Sequence, residues 1–101
     1  MPASDPSNAS RTVGERLKAA RLELGVSQMD LAYLAGMNVA NYGKIERGIG
    51  NPTLDSLVRL AGVMGLDPGT LVAGLGLSDL PPVKSSYTVA EFLREKQRKA
   101  H

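Results

Sequence analysis

The side chains from which catalytic sites are usually built are almost absent from this chain of 101 residues. The sequence has no cysteine, and its single histidine is the terminal residue, His101. It contains no Ser-His or Cys-His pairing, no carboxylate-metal arrangement and no phosphate-binding glycine loop. We therefore expect a protein that is not an enzyme and that holds neither a metal ion nor a cofactor.

Length and composition favour one small helical domain. A chain of 101 residues supports a single hydrophobic core with tails. Of its residues 43% are hydrophobic but only 4% are aromatic, a composition typical of small helical bundles. The absence of cysteine suits a reducing cytosol, and the N-terminus has neither an apolar stretch nor a basic region. The expected location is cytoplasmic, without a membrane-spanning segment.

Charge by itself does not indicate a partner. The formal net charge is +2, but residues 11–80 contain seven basic and seven acidic residues, so this part of the chain is neutral. The excess lies in residues 83–101, which carry five basic and two acidic residues. Any argument for a nucleic-acid partner must therefore rest on the elements and their spacing.

Helix start and stop signals recur from Thr12 onward. A serine, threonine or asparagine precedes each of the first four apolar periodic stretches, Asp67 with Pro68 precedes the fifth, and a glycine follows each, because the free amide and carbonyl groups at helix ends need partners. Thr12 and Glu15 form a capping box for the first helix, whereas residues 1–11 are expected to be a disordered arm. The predicted helices cover residues 13–24, 28–35, 39–47, 54–64 and 68–74.

A second pattern follows the fifth helix. Glycine, serine and proline dominate residues 74–82, which we interpret as a linker. Val83–Tyr87 is extended in character, and Thr88 with Glu91 repeats the capping box at the start of a helix over 89–98. The predicted fold is all-α, with a five-helix domain at 12–77 followed by a short strand and a C-terminal helix within 78–101.

Two short helices joined by a tight glycine turn, within a five-helix unit, form a helix-turn-helix. Residues 39–47 have the length of a helix that enters the major groove of DNA. The sequence resembles the lambda repressor/Cro type, or Xre family, over about residues 12–74. The resemblance is carried by Ser-Gln-Met-Asp-Leu-Ala at 27–32, Ala-Gly-Met-Asn at 35–38, Ile-Glu-Arg-Gly at 45–48 and Asn-Pro-Thr at 51–53.

This resemblance implies roles for individual residues. Gln28 would contact a phosphate and support the third helix, while Asn38, Val39, Ala40 and Lys44 would face the bases. Val39 and Ala40 cannot form hydrogen bonds and could touch only thymine methyl groups, so direct reading of bases should be sparse.

The same resemblance implies roles away from the bases. Asn41 and Arg47 would approach the DNA backbone. Arg21 and Glu46 would form a buried ion pair with a structural role.

The family commonly binds palindromic operators as a two-fold dimer, so a homodimer on double-stranded DNA is expected. Candidate dimer or partner contacts lie in the apolar residues of the fifth helix and the tail. Those singled out are Leu75, Leu77, Val83, Tyr87, Phe92 and Leu93.

The organisation of the chain resembles an antitoxin of the HigA kind in its small size, its double proline, its strand and its charged helix. Such a protein would have a toxin protein as a further partner. That resemblance is organisational and weaker than the DNA-binding one. A stand-alone Xre-type regulator without a toxin and a protein-interaction adaptor are the alternatives. The operator sequence, the toxin and any small effector are not written in the sequence.

Overall fold

The computed structural model describes residues 6–83 and 87–100, and these are helical with short connections. The predicted all-α class, with five helices followed by a C-terminal helix, is confirmed. One 3-10 turn at Leu77–Asp79 was not predicted. The helices are α1 (Asn8–Leu24), α2 (Gln28–Leu34), α3 (Val39–Glu46), α4 (Leu54–Val63), α5 (Gly69–Val72) and α6 (Val89–Ala100).

Capping explains where the central helices begin. The Ser27 side chain accepts a hydrogen bond from the backbone N–H of Asp30 at the start of α2. Thr53 does the same for Ser56 at the start of α4. Each bond satisfies one of the amides that a helix leaves free at its N-terminus, so the predicted boundaries agree with the structure to within two residues.

The first helix begins earlier than predicted. Its N-cap is Ser7, whose hydroxyl accepts from the Ser10 N–H, so Thr12 lies inside α1 and caps nothing. Residues 8–11 are therefore helical rather than part of a disordered arm. The extra turn is held from outside, because the Asn8 side chain donates a hydrogen bond to Asp79 at 2.6 Å.

The predicted strand at Val83–Tyr87 is not seen in the part of the chain that the structure describes. Val83 and Tyr87 belong to no strand, and residues 84–86 lie outside the described residues. An isolated strand has no partner for its backbone amides and carbonyls, and no second extended segment lies beside these two residues.

The core is enclosed by two sets of helix contacts: α1 packs against α3 and α5, and α2 packs against α3 and α4. Gly14 allows α1 to approach α3 closely, because a Cβ there would lie 2.5 Å from the Ile45 carbonyl oxygen. This packing fixes the position of α3. The buried hydrophobic residues are Val13, Leu17, Leu31, Ala32, Ala35, Tyr42, Ile45, Leu60, Ala61, Met64 and Leu71.

Polar contacts tie the end of the five-helix unit back to α1. The Arg16 guanidinium donates to the carbonyl oxygens of Leu71 in α5 at 3.2 Å and of Ala73 just beyond it at 2.8 Å. Asp79 accepts from the Gly76 N–H and from Asn8, and these two hydrogen bonds lower the pKa of its carboxyl group. The 3-10 turn is thus attached to α1, although the predicted domain boundary at residue 77 would have divided it.

Candidate nucleic-acid interface

The helix pair α2 and α3 is joined by a turn of four residues, 35–38. Gly36 adopts a φ of 68°, a left-handed conformation that side chains other than glycine rarely take. The Met37 N–H then donates to the Ala32 carbonyl oxygen at 2.8 Å, which closes the C-terminus of α2. This turn sets α3 across α2 in the arrangement of a helix-turn-helix.

The two faces of α3 differ sharply. Tyr42 and Ile45 are buried in the core, and Gly43 and Glu46 are buried with them. On the other face the side chains that were predicted to meet DNA are open to solvent. These exposed residues are Val39, Ala40, Asn41 and Lys44, with Arg47 immediately after the helix.

Asn38 is the N-cap of α3, and this limits what it can offer to a ligand. Its Oδ1 accepts from the backbone N–H groups of Ala40 at 2.8 Å and Asn41 at 3.3 Å. The oxygen is therefore committed to the helix, whereas no protein group accepts from the Nδ2 hydrogens among the described contacts. Asn38 can contact a base or a phosphate only as a donor through Nδ2.

Gln28 connects the two helices. Its Nε2 donates to the Glu46 carboxylate at 3.1 Å, so the amide group supports α3 from the first turn of α2. Gly43 of α3 faces the side chains of Gln28 and Arg47. A Cβ at this position would lie 3.1 Å from the Arg47 guanidinium and 3.8 Å from the Gln28 oxygen. A side chain at this position would displace the Arg47 guanidinium by a few tenths of an ångström.

Arg21 and Glu46, predicted to form an ion pair, bind each other through two parallel hydrogen bonds. Arg21 Nε lies 2.9 Å from Glu46 Oε2, and Nη2 lies 2.7 Å from Oε1. Both side chains are almost fully buried, and the remaining Arg21 Nη1 donates to the Val26 carbonyl oxygen at 2.8 Å. The pair joins α1 to the last turn of α3.

Sequence reasoning gave Gln28 as a support of α3 but missed the part that Tyr42 plays in this cluster. The Tyr42 hydroxyl donates to Glu46 Oε2, so the carboxylate is satisfied by Arg21, Tyr42 and Gln28 together. Tyr42 and Glu46 are four residues apart and lie on one face of α3, and this spacing could have revealed their contact. The cluster leaves no buried side-chain polar atom without a partner among the described residues.

The hydrogen bonds dominate the electrostatics of the cluster. Burial alone would raise the pKa of Glu46, but the bonds from Arg21, Tyr42 and Gln28 outweigh it and lower the pKa to about 2. The bond to Glu46 raises the pKa of Arg21, and burial followed by the same carboxylate raises that of Tyr42. The three groups therefore keep one protonation state throughout the neutral range.

The candidate dimer residues fall into two groups. Leu75 is half-buried and packs against the core of the domain, so it has little surface left for a partner. The other residues are half or more exposed. They are Leu77, Val83, Tyr87, Phe92 and Leu93.

Comparison with known proteins decides the family. A sequence profile described as helix-turn-helix, the Xre or lambda-repressor type, matches residues 17–71, from the middle of α1 to α5. The chain belongs to this helix-turn-helix family. The likeness first indicated by the motifs at 27–32, 35–38 and 45–48 is thereby confirmed.

Two curated relatives of this helix-turn-helix family come from Bacillus and its phages. One is an uncharacterised HTH-type transcriptional regulator, YonR, of SPbeta prophage origin in Bacillus subtilis, with 38% identity over 61 residues, covering 60% of this chain and 56% of that protein. The other is the immunity repressor of Bacillus phage phi105, with 38% identity over 61 residues, covering 60% of this chain and 42% of the repressor. The chain thus matches about half the length of these relatives, and both are regulators rather than enzymes.

Solved structures of DNA-binding regulators superpose on about 60% of the chain. The restriction-modification controller protein C.AhdI from Aeromonas hydrophila has a TM-score of 0.60 and 34% identity, covering 61% of this chain and 94% of its own. The biofilm regulator SinR, solved in complex with DNA, has a TM-score of 0.57 and 33% identity, covering 58% and 95%. The P22 c2 repressor, solved with a synthetic operator, has a TM-score of 0.58 and 27% identity, covering 62% and 96%.

Other kinds of site find no support in the described residues. They contain no group of three or more His, Cys, Asp or Glu side chains placed to hold a metal ion. None of their helices combines the length and the apolar character needed to cross a membrane. The exposed face of α3 is therefore the candidate site that the fold presents most clearly.

Proposed function

We propose that this protein is a sequence-specific DNA-binding transcriptional repressor that inserts α3 into the major groove of its operator. The observation that carries the proposal is the exposed N-terminal face of α3, held at a fixed angle to α2 by Gly36 and by the buried cluster around Glu46. A short helix supported in this way can project the side chains of its first turns toward base edges. The repressors and regulators of the same family support this function.

Each exposed residue has a contact that its chemistry allows. Lys44 supplies hydrogen-bond donors one turn into α3, suited to a guanine edge or a phosphate. Asn38 donates through its free Nδ2, and Val39 and Ala40 present methyl groups to thymine. Arg47 and Asn41 meet the backbone and fix the register of the helix. Gln28 donates one Nε2 hydrogen to Glu46 and keeps the second for a phosphate, so it would support α3 and contact the DNA backbone together.

A two-fold dimer on a palindrome follows from the small number of these contacts. One α3 reads too few base pairs for genomic selectivity, and residues 11–80 carry no net charge that would increase affinity. Two copies with their α3 helices one helical turn of DNA apart would double the contacts. We place the dimer contact in the exposed apolar residues that follow α5, which include Leu77, Val83 and Tyr87.

The test is an electrophoretic mobility shift on the DNA upstream of the protein's own gene, with the wild type, Lys44→Ala and Lys18→Ala. Lys18 is an exposed lysine of α1 that carries no assigned contact, so it controls for the loss of one positive charge. We expect a discrete complex for the wild type and Lys18→Ala, and its loss with Lys44→Ala. Equal binding by all three proteins would contradict the assignment of α3.

An antitoxin is the second candidate function. It is supported by the exposed apolar face of α6, which carries Phe92 and Leu93 and could bind a toxin instead of a second copy. Co-expression with the protein encoded by the adjacent gene, followed by affinity purification, tests it. A stoichiometric complex that Phe92→Ser abolishes would establish the antitoxin function, and purification of this chain alone would exclude that neighbour as its toxin.

A further inference from the structure

Gly43 leaves a gap in the surface of α3, and the Arg47 side chain lies over it. Gly43 is buried, although its helix neighbours Ala40 and Lys44 are exposed. The point that a Cβ would occupy is 3.1 Å from Arg47 Nη1 and 4.0 Å from Arg47 Cζ. Arg47 follows Gly43 by four residues, so its side chain can point back along α3 and reach this point. The guanidinium therefore lies over the helix rather than pointing away from it.

Gln28 borders the same gap from α2. The Glu46 carboxylate only accepts hydrogen bonds, so the Gln28 amide must turn Nε2 toward it, and this bond is 3.1 Å long. The amide oxygen is then directed elsewhere, and it lies 3.8 Å from the point that a Cβ of Gly43 would occupy. A partly negative oxygen and the positive guanidinium of Arg47 thus border one gap, where their charges attract each other.

The gap positions Arg47 without neutralising its charge. The two ion pairs among the described residues join Arg21 to Glu46 and Glu95 to Arg98, so neither involves Arg47. An acidic partner would hold the guanidinium by hydrogen bonds and would compete with a DNA phosphate for the same donors. A gap beside a neutral amide holds the guanidinium and leaves its charge available for a phosphate.

The packing of the helices does not by itself require glycine at position 43. The three atoms nearest to the missing Cβ all belong to the side chains of Arg47 and Gln28, whereas at Gly14 they belong to the backbone of α3. A glycine inside a helix is less favourable than alanine, because it loses more backbone freedom on folding. The placement of the Arg47 guanidinium is what the missing side chain at Gly43 provides.

We infer that Gly43 is a positioning residue for DNA binding: it lets the Arg47 guanidinium rest over α3 in the free protein, so that this donor is in place before a phosphate arrives. A flexible side chain loses rotamer freedom when a ligand fixes it, which weakens binding by about 2- to 10-fold. Positioning before binding removes part of this loss. The inference rests on the proposed repressor function for its phosphate, but the position of Arg47 can be measured without DNA.

The first test measures the mobility of arginine side chains in the free protein, from the heteronuclear NOE of their Nε–Hε groups. Arg21 is the rigid reference, because its Nε donates to Glu46, and Arg94 is the mobile reference, because it is exposed on α6. We expect the NOE of Arg47 to be close to that of Arg21. In Gly43→Leu, whose side chain fills the gap, it should fall to the value of Arg94.

Two further variants grade and control this result. Gly43→Ala adds only a Cβ, which displaces the guanidinium by a few tenths of an ångström, so it should lower the NOE of Arg47 less than leucine does. Gly62→Leu is the matched control, because a Cβ at Gly62 would meet no atom within 4 Å. Circular dichroism verifies folding, and Gly43→Ala decides alone if Gly43→Leu does not fold. The inference is overturned if wild-type Arg47 is as mobile as Arg94, or if the folded Gly43 variants leave its mobility unchanged.

The second test is a double-mutant cycle, measured by anisotropy on the DNA upstream of the protein's own gene. We expect Gly43→Leu to raise the Kd about 5-fold and Arg47→Ala to raise it about 10-fold or more. Because the gap acts through Arg47, adding Gly43→Leu to Arg47→Ala should change the Kd by less than about twofold. An equal loss in both backgrounds would show that leucine disturbs α3 or the DNA directly, which would overturn the positioning role.

Failure of this inference can be told apart from failure of the proposed function. Loss of the DNA complex with Lys44→Ala, but not with Arg47→Ala, would overturn the role of Gly43 and keep the proposed repressor. Wild-type binding by Lys44→Ala, together with the losses expected for Arg47→Ala and Gly43→Leu, would contradict base reading by α3. That result would support the positioning of Arg47 on the DNA backbone.

Discussion

At the scale of single residues, Glu46 connects stability with the position of α3. Its carboxylate accepts hydrogen bonds from Arg21, Tyr42 and Gln28, which come from α1, α3 itself and α2. Removing one partner of a buried ion pair leaves an uncompensated charge and typically costs roughly 3 to 5 kcal/mol. We therefore expect Glu46 to affect DNA binding through the position of α3 rather than by contact.

The lowered pKa of Glu46 gives a pH dependence with a defined sign. The folded value is about 2, against an ordinary value of 4.5, so the contribution of this group is complete above pH 4.5 and is lost as the pH falls toward 2. We predict that Glu46→Gln lowers the free energy of unfolding at pH 7 by roughly 3 to 5 kcal/mol, because Arg21 loses its buried partner, and that it flattens the decline of stability below pH 4.5.

Urea denaturation at pH 7, 4 and 3 measures both effects. Glu23→Gln is the matched control, because Glu23 is an exposed residue of α1. The control should keep the wild-type stability and the wild-type pH profile. A Glu46→Gln protein with the same acid sensitivity as the wild type would contradict the assigned pKa.

Val39 supports a second prediction at this scale. It is 40% exposed in the first turn of α3 and has only methyl groups to offer to DNA. Replacement of thymine by uracil in the operator removes the C5 methyl group, and each lost methyl contact should weaken wild-type binding about fourfold. For Val39→Ser the same replacement should have a smaller effect, and fluorescence anisotropy with both duplexes measures the difference. Equal weakening for the two proteins would show that Val39 does not contact a thymine methyl group.

At the scale of elements, replacing either of two helical glycines by alanine should change stability in opposite directions. A Cβ at Gly14 would lie 2.5 Å and 2.6 Å from the carbonyl oxygens of Ile45 and Glu46, so Gly14→Ala must push α1 away from α3. A Cβ at Gly62 in α4 would meet no atom within 4 Å. We predict that Gly14→Ala lowers the unfolding free energy by roughly 1 to 3 kcal/mol, whereas Gly62→Ala raises it by about 0.5 to 1 kcal/mol. Thermal unfolding followed by circular dichroism compares them, and an unchanged Gly14→Ala protein would show that α1 and α3 are not in close contact.

The helices were predicted well from the sequence where capping is local. Ser27, Asn38 and Thr53 lie at the start of α2, α3 and α4, and their capping bonds span only two or three residues, so a single sequence contains the whole signal. The start of α1 was predicted too late although its cap is also local, because Thr12 and Glu15 have the spacing of a capping box whereas the structure uses Ser7, which accepts from the Ser10 N–H. Gln28 was missed as a partner of Glu46 because their contact depends on how α2 packs against α3, whereas the contact of Tyr42 with Glu46 lies within α3 and could have been predicted from their spacing.

At the scale of the whole molecule, neutrality of the five-helix unit determines how binding must work. With seven basic and seven acidic residues in 11–80, we expect the bulk attraction of this unit to DNA to be weak, so the few side chains on α3 should supply most of its affinity. Because Val39 and Ala40 form no hydrogen bonds, we expect the geometry of the proposed dimer and the shape of the DNA to share the discrimination between sequences. The protein should therefore bind non-specific DNA poorly and its operator only as a pair.

The most direct test of sequence-specific binding by α3 is the ratio of the affinities for the operator and for a shuffled duplex. The operator is first selected from a random DNA pool, and anisotropy titrations then compare it with a shuffled duplex of the same composition at one salt concentration. We predict a palindromic operator with half-sites about one helical turn apart. The protein should prefer this operator over the shuffled duplex by about 1,000-fold or more. Equal affinity for the two duplexes would contradict sequence-specific binding by α3.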